Sequence, residues 1–552
     1  MKDKLRTTIL NILNKMKLVL GASFDISTPP DPKLGDFSTN VAMALAGTAK
    51  ADPMKLAEKI AQKLRESGEY KASVAKPGFI NITLDYQNYL EELKRIINKN
   101  KKYGKSEIGN GKTVSIDFVS ANPTGPVHIG NARGGPVGEA IANLLEWSGY
   151  KVSRDFYLND TGVQTRRLGE TLYFYLEKEL GLDPIIAEDA YKGEYIEEVY
   201  QKIKKKYGKE LEKLREKEEI IEFLRTKGLE VLIERIKKEV GLLDIKYDNW
   251  YSQTKIQASG KTDEVISKLE EQGMTVKREG ATWYKNPNDP DFEDKESVLK
   301  KSDDETLTYF ADDLAFHAMR FDKGVDIIID LWGSNHHGHV PRMKSALTAL
   351  GYAEERERII LYQFVRVKEE GGLIKMSKRE GNFVTLEDVL KAGVEPDAFK
   401  YFIISQNPNS PIDFDIKLAI ERSDKNPIFY IQYAHARIAS IIRKCKAKEA
   451  KRAGEIKIAE LEKLKKPEEA ALVKGLAEFP EICEETLKDF QIQLLPHYAY
   501  KIATLFHNFY TKCRVIDEKE KVNSPRLALC IATKIIIANT LAICDISAPE
   551  KM

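Results

Sequence analysis

One histidine stands among turn formers in the run "SANPTGPVHIGNARGG", Ser120 to Gly135. Gly125, Gly130, Gly134 and Gly135 surround His128 with residues that let a backbone come close to a ligand. A glycine-bearing loop that opens a helix presents N–H groups to an anion, and the helix dipole favours negative charge there. His128 at that junction is placed to donate to a phosphate oxygen. A tight strand-to-helix turn that needs glycine for steric reasons explains the loop equally well. The spacing does not match GxGxxG, which weighs against a dinucleotide site. A second run, "EEGGLIKMSKREGN" at 369–382, sets Lys375 and Lys378 beside Met376 and Ser377 on a glycine-flanked loop. Two such lysines suit charge that grows on a departing polyphosphate, although a solvated basic hairpin has the same composition. Asp117 and Asn122 flank the histidine loop, Tyr309 and Asp313 are spaced one helical turn apart, and His336, His337 and His339 form a dense cluster. From spacing alone Asp313 is a surface neighbour of Asp312, Tyr309 a core residue and Asn122 a turn residue before Pro123. The histidine cluster lacks a clear carboxylate partner and is a weak metal motif.

The elements around these residues are those of an α/β protein. "KTVSIDFV" reads as a strand, the histidine loop follows, "GEAIANLLEWSG" reads as a helix with Pro136 kinking or restarting it, and "YKVSRDFYL" as a second strand. Strands alternating with helices imply a doubly wound, Rossmann-like parallel sheet, with ligands beyond the carboxyl ends of its strands. From about 170 to 245 the chain is charged and helical, as an insertion would be. Alternation returns through "VDIIIDLWG" and "RIILYQFVRV", each read as one strand, and strands are expected to stop after about residue 400. Three units follow: an α+β module at 1–106, the catalytic α/β domain at 107–395, and an all-helical domain at 396–552. In the last, Tyr498, Ile502, Leu505, Phe506 and Phe509 share one face.

At 552 residues the chain exceeds one core. With 42% apolar and 31% charged residues and a net charge of +2 it is not a polycation, so nucleic-acid contacts must come from local patches. The five cysteines form no CxxC pair and fit a reducing, cytoplasmic setting without a multi-cysteine zinc. The N-terminal apolar residues repeat with helical spacing, unlike a signal peptide. "IATKIIIANTLAIC" carries Lys534 and Asn539 and reads as too short to span a bilayer, so no membrane is expected.

The two loops together, in this order, resemble the two signatures of class I aminoacyl-tRNA synthetases. The flanking "SANPTGPVHIGNARG", "YLNDTGVQ", "TYFADDLAFH", "LWGSNHHGHVPRMKSAL", "NPIFYIQYAHARI" and "SAPEKM" make the whole chain similar to the arginyl-tRNA synthetases. The first signature is usually written HIGH; here it is His128-Ile129-Gly130-Asn131, so the fourth position departs. The resemblance implies ATP-dependent activation of L-arginine and its transfer to the 3′ end of a tRNA. ATP, with magnesium, would meet Pro126, His128, Gly130, Asn131, Lys375, Met376, Ser377 and Lys378, of which His128, Lys375 and Lys378 would be catalytic. The arginine guanidinium needs carboxylate and amide acceptors, and the family's pattern falls on Asp117, Asn122, Tyr309 and Asp313, with His336 bordering the pocket. Gln164 is a pocket wall or structural. Tyr430, Tyr433 and Arg437 would contact the anticodon, and the N-terminal module would touch the tRNA elbow. The resemblance further implies a cytoplasmic monomer, no zinc or other protein-bound metal, and arginine activation that often waits for tRNA. Three rivals stand beside it. They are a small-molecule nucleotidyltransferase, which gives the helical tail no task, another class I synthetase, and a non-catalytic tRNA-binding paralogue.

Overall fold

Val114 and Ile116 on one side and Ser115 and Asp117 on the other are all buried in Thr113–Asp117 (β1). A strand covered on both faces belongs inside a parallel sheet. The computed structural model, which describes residues 1–19, 23–29, 31–285, 297–302, 306–369, 372–373 and 384–552, places it there. Beyond β1 the chain bends through Val119 and Ser120, both with positive φ (68° and 33°). That conformation is costly for a β-branched residue and marks a constrained turn. Two helices follow, Ile129–Ala132 (α1) and Gly134–Trp147 (α2), broken at Arg133. Pro136 falls in the first turn of α2, where a missing N–H is tolerated, so the helix restarts as expected. α2 lies so close to the sheet that a Cβ on Gly138 would stand 2.3 Å from the Phe118 ring. That glycine therefore serves packing.

The chain continues through Lys151–Leu158 (β2) into three helices, Val163–Glu179 (α3), Glu194–Leu211 (α4) and Lys217–Gly241 (α5). These are the charged insertion, closed by their own apolar cluster of Leu168, Leu172, Ile196, Tyr200, Leu224 and Leu232. Asn249–Ser252 (β3), Tyr309–Asp322 (α6), Ile327–Gly333 (β4) and Glu357–Tyr362 (β5) complete the domain. The five strands run parallel in the order β5-β4-β1-β2-β3. The winding reverses between β1 and β4, and that switch point opens a crevice at the strand ends.

Two expectations about strands fail. "RIILYQFVRV" is not one strand: β5 ends at Tyr362, and Val365–Glu369 (β6) starts a separate sheet after the break at Gln363 and Phe364. Strands also do not stop near 400, because Ile412–Asp415 (β7) pairs in parallel with β6 after Leu386–Lys391 (α7). Both apolar runs satisfied a strand reading, but only pairing reveals where one sheet yields to another. A small antiparallel sheet of 275–278, 281–284 and 298–300 was also hidden in short, weakly alternating segments.

Before β1, helices Lys2–Lys15, Val41–Ala49, Pro53–Glu66 and Tyr86–Lys99 pack with a four-stranded antiparallel sheet, the expected α+β module. After β7 every described regular element is helical. Pro427–Lys444 (α8), Leu494–Lys512 (α9) and Ser524–Ile543 (α10) are the longest. On α9, Tyr498, Ile502, Phe506 and Phe509 are buried and Leu505 is half-buried, as the periodicity requires. The reading of the last apolar stretch as too short needs correction. α10 has 20 residues, long and apolar enough to cross a membrane, because the helix begins seven residues before the quoted run. It is a core helix, with 67% of its most apolar window buried. Asn539 within it donates to the carbonyls of Asn100 and Tyr103 at 3.1 and 3.3 Å, tying the C-terminal helix to the end of the N-terminal module.

Candidate active site

The switch-point crevice is a cavity of about 710 Å³. Asp117, Asn122, His128, Gly130, Asn131, Tyr309, Asp313 and His336, far apart in sequence, all line it. Asp117 ends β1 and is 4% exposed. Its Oδ1 accepts from the Ser120 hydroxyl at 2.7 Å and from the Tyr157 N–H at 3.1 Å, contacts that the bend at 119–120 creates. Burial, then the neighbouring Asp330, push its carboxyl up to about 7, with Arg320 partly opposing them. Asn122 is held by its amide, which donates to Gln164 Oε1 at 3.0 Å. That bond makes Gln164 part of the wall. Tyr309 and Asp313 lie on the first turns of α6, which Thr308 caps by accepting from the Ala311 N–H. His339 Nε2 stands 3.3 Å from Asp313 Oδ2, and His336 has its pKa lowered by burial and then by His339, which keeps its ring neutral. A wall with two carboxylates, a phenol and an amide suits a planar cation.

The histidine loop lines the same cavity. His128 is the N-cap of α1, and its Nδ1 accepts from the Asn131 N–H at 3.1 Å. A neutral ring that accepts at Nδ1 carries its proton on Nε2, so that nitrogen is a donor. The cap runs through the backbone of Asn131, so the departure at the signature's fourth position leaves it intact. A Cβ on Gly130 would lie 3.1 Å from the His128 ring, which explains the small residue there.

The loop is clamped from behind. Val127 N–H donates to the buried Glu239 of α5 at 2.7 Å, and Arg235 bonds Glu239 at 2.8 Å and Glu387 of α7 at 3.3 Å. Ile129 N–H donates to Val384 O at 3.0 Å, Leu386 N–H to Val127 O at 2.9 Å, and His128 pairs with Thr385. The segment just after the second signature is thereby fixed to the first. Arg133, fully buried, donates to the carbonyls of Gln363, Ser410 and Asn407 at 2.7 to 3.0 Å.

Not every expected residue reaches this cavity. Pro126 is buried behind the loop. Lys375, Met376, Ser377 and Lys378 lie outside the described residues. Tyr430, Tyr433 and Arg437 sit on α8 in the helical C-terminal region, beside α9. Tyr430 is 4.4 Å from His507 between ring centres, Tyr433 stacks on His507 at 6.0 Å, and Arg437 donates to the Tyr510 hydroxyl at 2.8 Å. Tyr433 and Tyr500 remain over two-fifths exposed and form an open aromatic surface. The sequence reading missed Asp330, His317 and Trp332, which also line the cavity. The clue available for the first was an acid following three isoleucines within the run "VDIIIDLWG".

Family comparison decides among the readings. The model for the class I (R) tRNA synthetase catalytic domain matches residues 92–420. That for the arginyl-tRNA synthetase N-terminal domain matches 3–84, and that for the DALR anticodon-binding domain matches 431–552. The arginine–tRNA ligase of Caldanaerobacter subterraneus subsp. tengcongensis is 38% identical over 563 residues, spanning 100% of this chain and 99% of that protein.

The chain belongs to the arginyl-tRNA synthetase family.

The arginine–tRNA ligase of Bacillus subtilis is 37% identical over 559 residues, again across 100% of this chain and 99% of its own length. The Thermus thermophilus arginyl-tRNA synthetase shares the fold, with a TM-score of 0.75 at 21% identity over 100% of both chains. As a class I synthetase of this family, the chain uses ATP, and its crevice is the catalytic domain's switch-point site. The exposed aromatic surface of α8 and α9 falls within the anticodon-binding domain.

Proposed function

We propose that this arginyl-tRNA synthetase holds arginine against Asp117, Asn122, Tyr309 and Asp313, and ATP against the His128 loop. The observation that carries this is one cavity lined by all four polar residues and by His128, Gly130 and Asn131. The arginine carboxylate is the nucleophile and attacks the α-phosphate of ATP, releasing pyrophosphate; magnesium on the triphosphate would neutralise part of its charge. No side-chain nucleophile is required, and catalysis is positioning plus charge stabilisation. His128 donates from Nε2 to a phosphate oxygen, the cap at Nδ1 fixing which nitrogen carries the proton. Lys375 and Lys378 meet the charge on the departing pyrophosphate. The adenylate then passes its arginyl group to the terminal ribose of tRNA.

For tRNA we assign residues 1–106 to the elbow and 396–552 to the anticodon. Tyr430, Tyr433 and Arg437 offer ring faces and a cation for unstacked bases. We read the enzyme as a cytoplasmic monomer that needs no protein-bound zinc.

Asp313→Asn tests the arginine site. Losing a charged acceptor for a guanidinium should cost about 2 kcal/mol, or roughly thirtyfold in the KM for arginine. The KM for ATP should stay within about twofold. An unchanged arginine KM removes Asp313 from the site.

A further inference from the structure

Beneath the cavity three aspartates stand side by side on adjacent strands. Asp330 of β4 is in register with Asp117 of β1, and Asp117 with Asp155 of β2. They are 1 to 4% exposed. Parallel strands in register point such a row to one face, so three carboxylates share one buried layer, an arrangement that demands cations.

Two cations answer it, both from α6, and both go to Asp330. Arg320 is fully buried and its guanidinium bonds the two Asp330 oxygens at 2.9 and 3.2 Å. His317 Nε2 lies 2.7 Å from Asp330 Oδ2, and its Nδ1 lies 2.6 Å from the carbonyl of Asp313. Each nitrogen faces an acceptor, so both carry protons and the ring is an imidazolium. Burial, the largest single effect, and Arg320 oppose that charge, Asp330 and Glu357 favour it, and the net effect raises the His317 pKa. Asp155 takes neutral donors instead, the hydroxyls of Ser115 and Ser153 and the amide of Asn249. Asp117 takes a hydroxyl and an N–H, both on Oδ1. It is the member of the row that lines the cavity without a bonded cation.

The stripe Tyr309, Asp313, His317, Arg320 therefore runs down one face of α6 from the open pocket to the buried row. We propose that Arg320 and His317 are positioning residues that saturate Asp330, so that the row presents one carboxylate, Asp117, to the cationic substrate. This rests on the reading of the cavity as the arginine site. It differs from that reading in assigning specificity to two groups that bind no substrate themselves.

Among the described residues, few other charged groups face Asp117. Asp155 and Asp330 flank it, and Asp313 and Glu357 lie beyond His317. The phenols of Tyr157, Tyr247 and Tyr362 are all pushed up by burial and stay neutral around pH 7. A cationic substrate binds the ionised form of Asp117, so the KM for arginine should rise as pH falls through neutrality.

The test is the KM for arginine against pH, from ATP–pyrophosphate exchange with tRNA present. Arg320→Met removes a neighbouring cation and should move the rise to higher pH. Asp330→Asn removes a neighbouring anion and should move it lower. Between the two midpoints the variants should differ at least about threefold in KM, with opposite sign relative to wild type. Should Arg320→Met fail to fold, His317→Asn replaces it with the same expected sign. Displacement in the same direction, or a uniform rise at every pH, would make the residues merely structural and overturn the proposal. Asp117→Asn separates the two levels. If it leaves the arginine KM unchanged, the reading of the site fails. If it raises the KM while the profiles do not split, only this proposal fails.

Discussion

His128 shows how little a side chain's identity says without its partner. A histidine in a glycine loop was equally a turn residue or a phosphate ligand; the N–H of Asn131 on its Nδ1 makes it a cap and an Nε2 donor at once. The glycines changed meaning too. Gly130 yields space to the imidazole and Gly135 to Ile245, so steric need accounts for these two. Asp117, Asn122, Tyr309 and Asp313 were legible through resemblance alone, since helix or turn spacing gave the last three a duller explanation. The structure adds their convergence on one cavity. The cation-bound Asp330 was not legible, because an aspartate in an apolar strand carries no sign of which cation lies beneath it. At this scale Lys378 is the sharpest prediction. Lys378→Ala should slow arginine activation by roughly 10²–10³-fold if its ammonium meets charge present chiefly in the transition state. Single-turnover measurement of adenylate formation checks this, and a rate within a few-fold of wild type removes the role.

Among elements, the β1–loop–α2 unit and the charged insertion were readable because long periodic segments declare themselves. The short strands were not. β7 has four residues and the antiparallel sheet at 275–300 is built from strands of three and four, too brief to separate from loops by alternation. The insertion proves to be more than an ornament on the sheet. Through Glu239 and Arg235, α5 grips the histidine loop and α7 together. Glu239→Ala should leave the Val127 N–H buried and unbonded, at a cost of about 1–3 kcal/mol. Its amide should then lose exchange protection, and kcat should fall with little change in the arginine KM. Glu239→Gln keeps an acceptor and should restore most of both. Equal loss in the two variants would mean that the carboxylate charge, and not the hydrogen bond, fixes the loop.

Across the whole molecule, three sequence-matched regions are joined by specific bonds, such as Asn539 reaching back to Asn100 and Tyr103. With a net charge of +2, tRNA affinity has to come from local surfaces, and the open rings of α8 and α9 are the one proposed here. If a base stacks on Tyr433, Tyr433→Ala should weaken tRNA binding by about 1–3 kcal/mol, while tRNA-free ATP binding stays unchanged. Fluorescence titration with tRNA measures it, and an unaltered Kd places the anticodon elsewhere.

On the proposed reading, the switch-point cavity selects arginine for adenylation. ATP–pyrophosphate exchange with each of the twenty amino acids, with and without arginine-accepting tRNA, tests it most directly. Exchange is expected with arginine alone, stronger with tRNA, and not with lysine, whose ammonium leaves the planar acceptors of Asp117 and Asp313 unpaired. Exchange with another amino acid, or none under any condition, would contradict it.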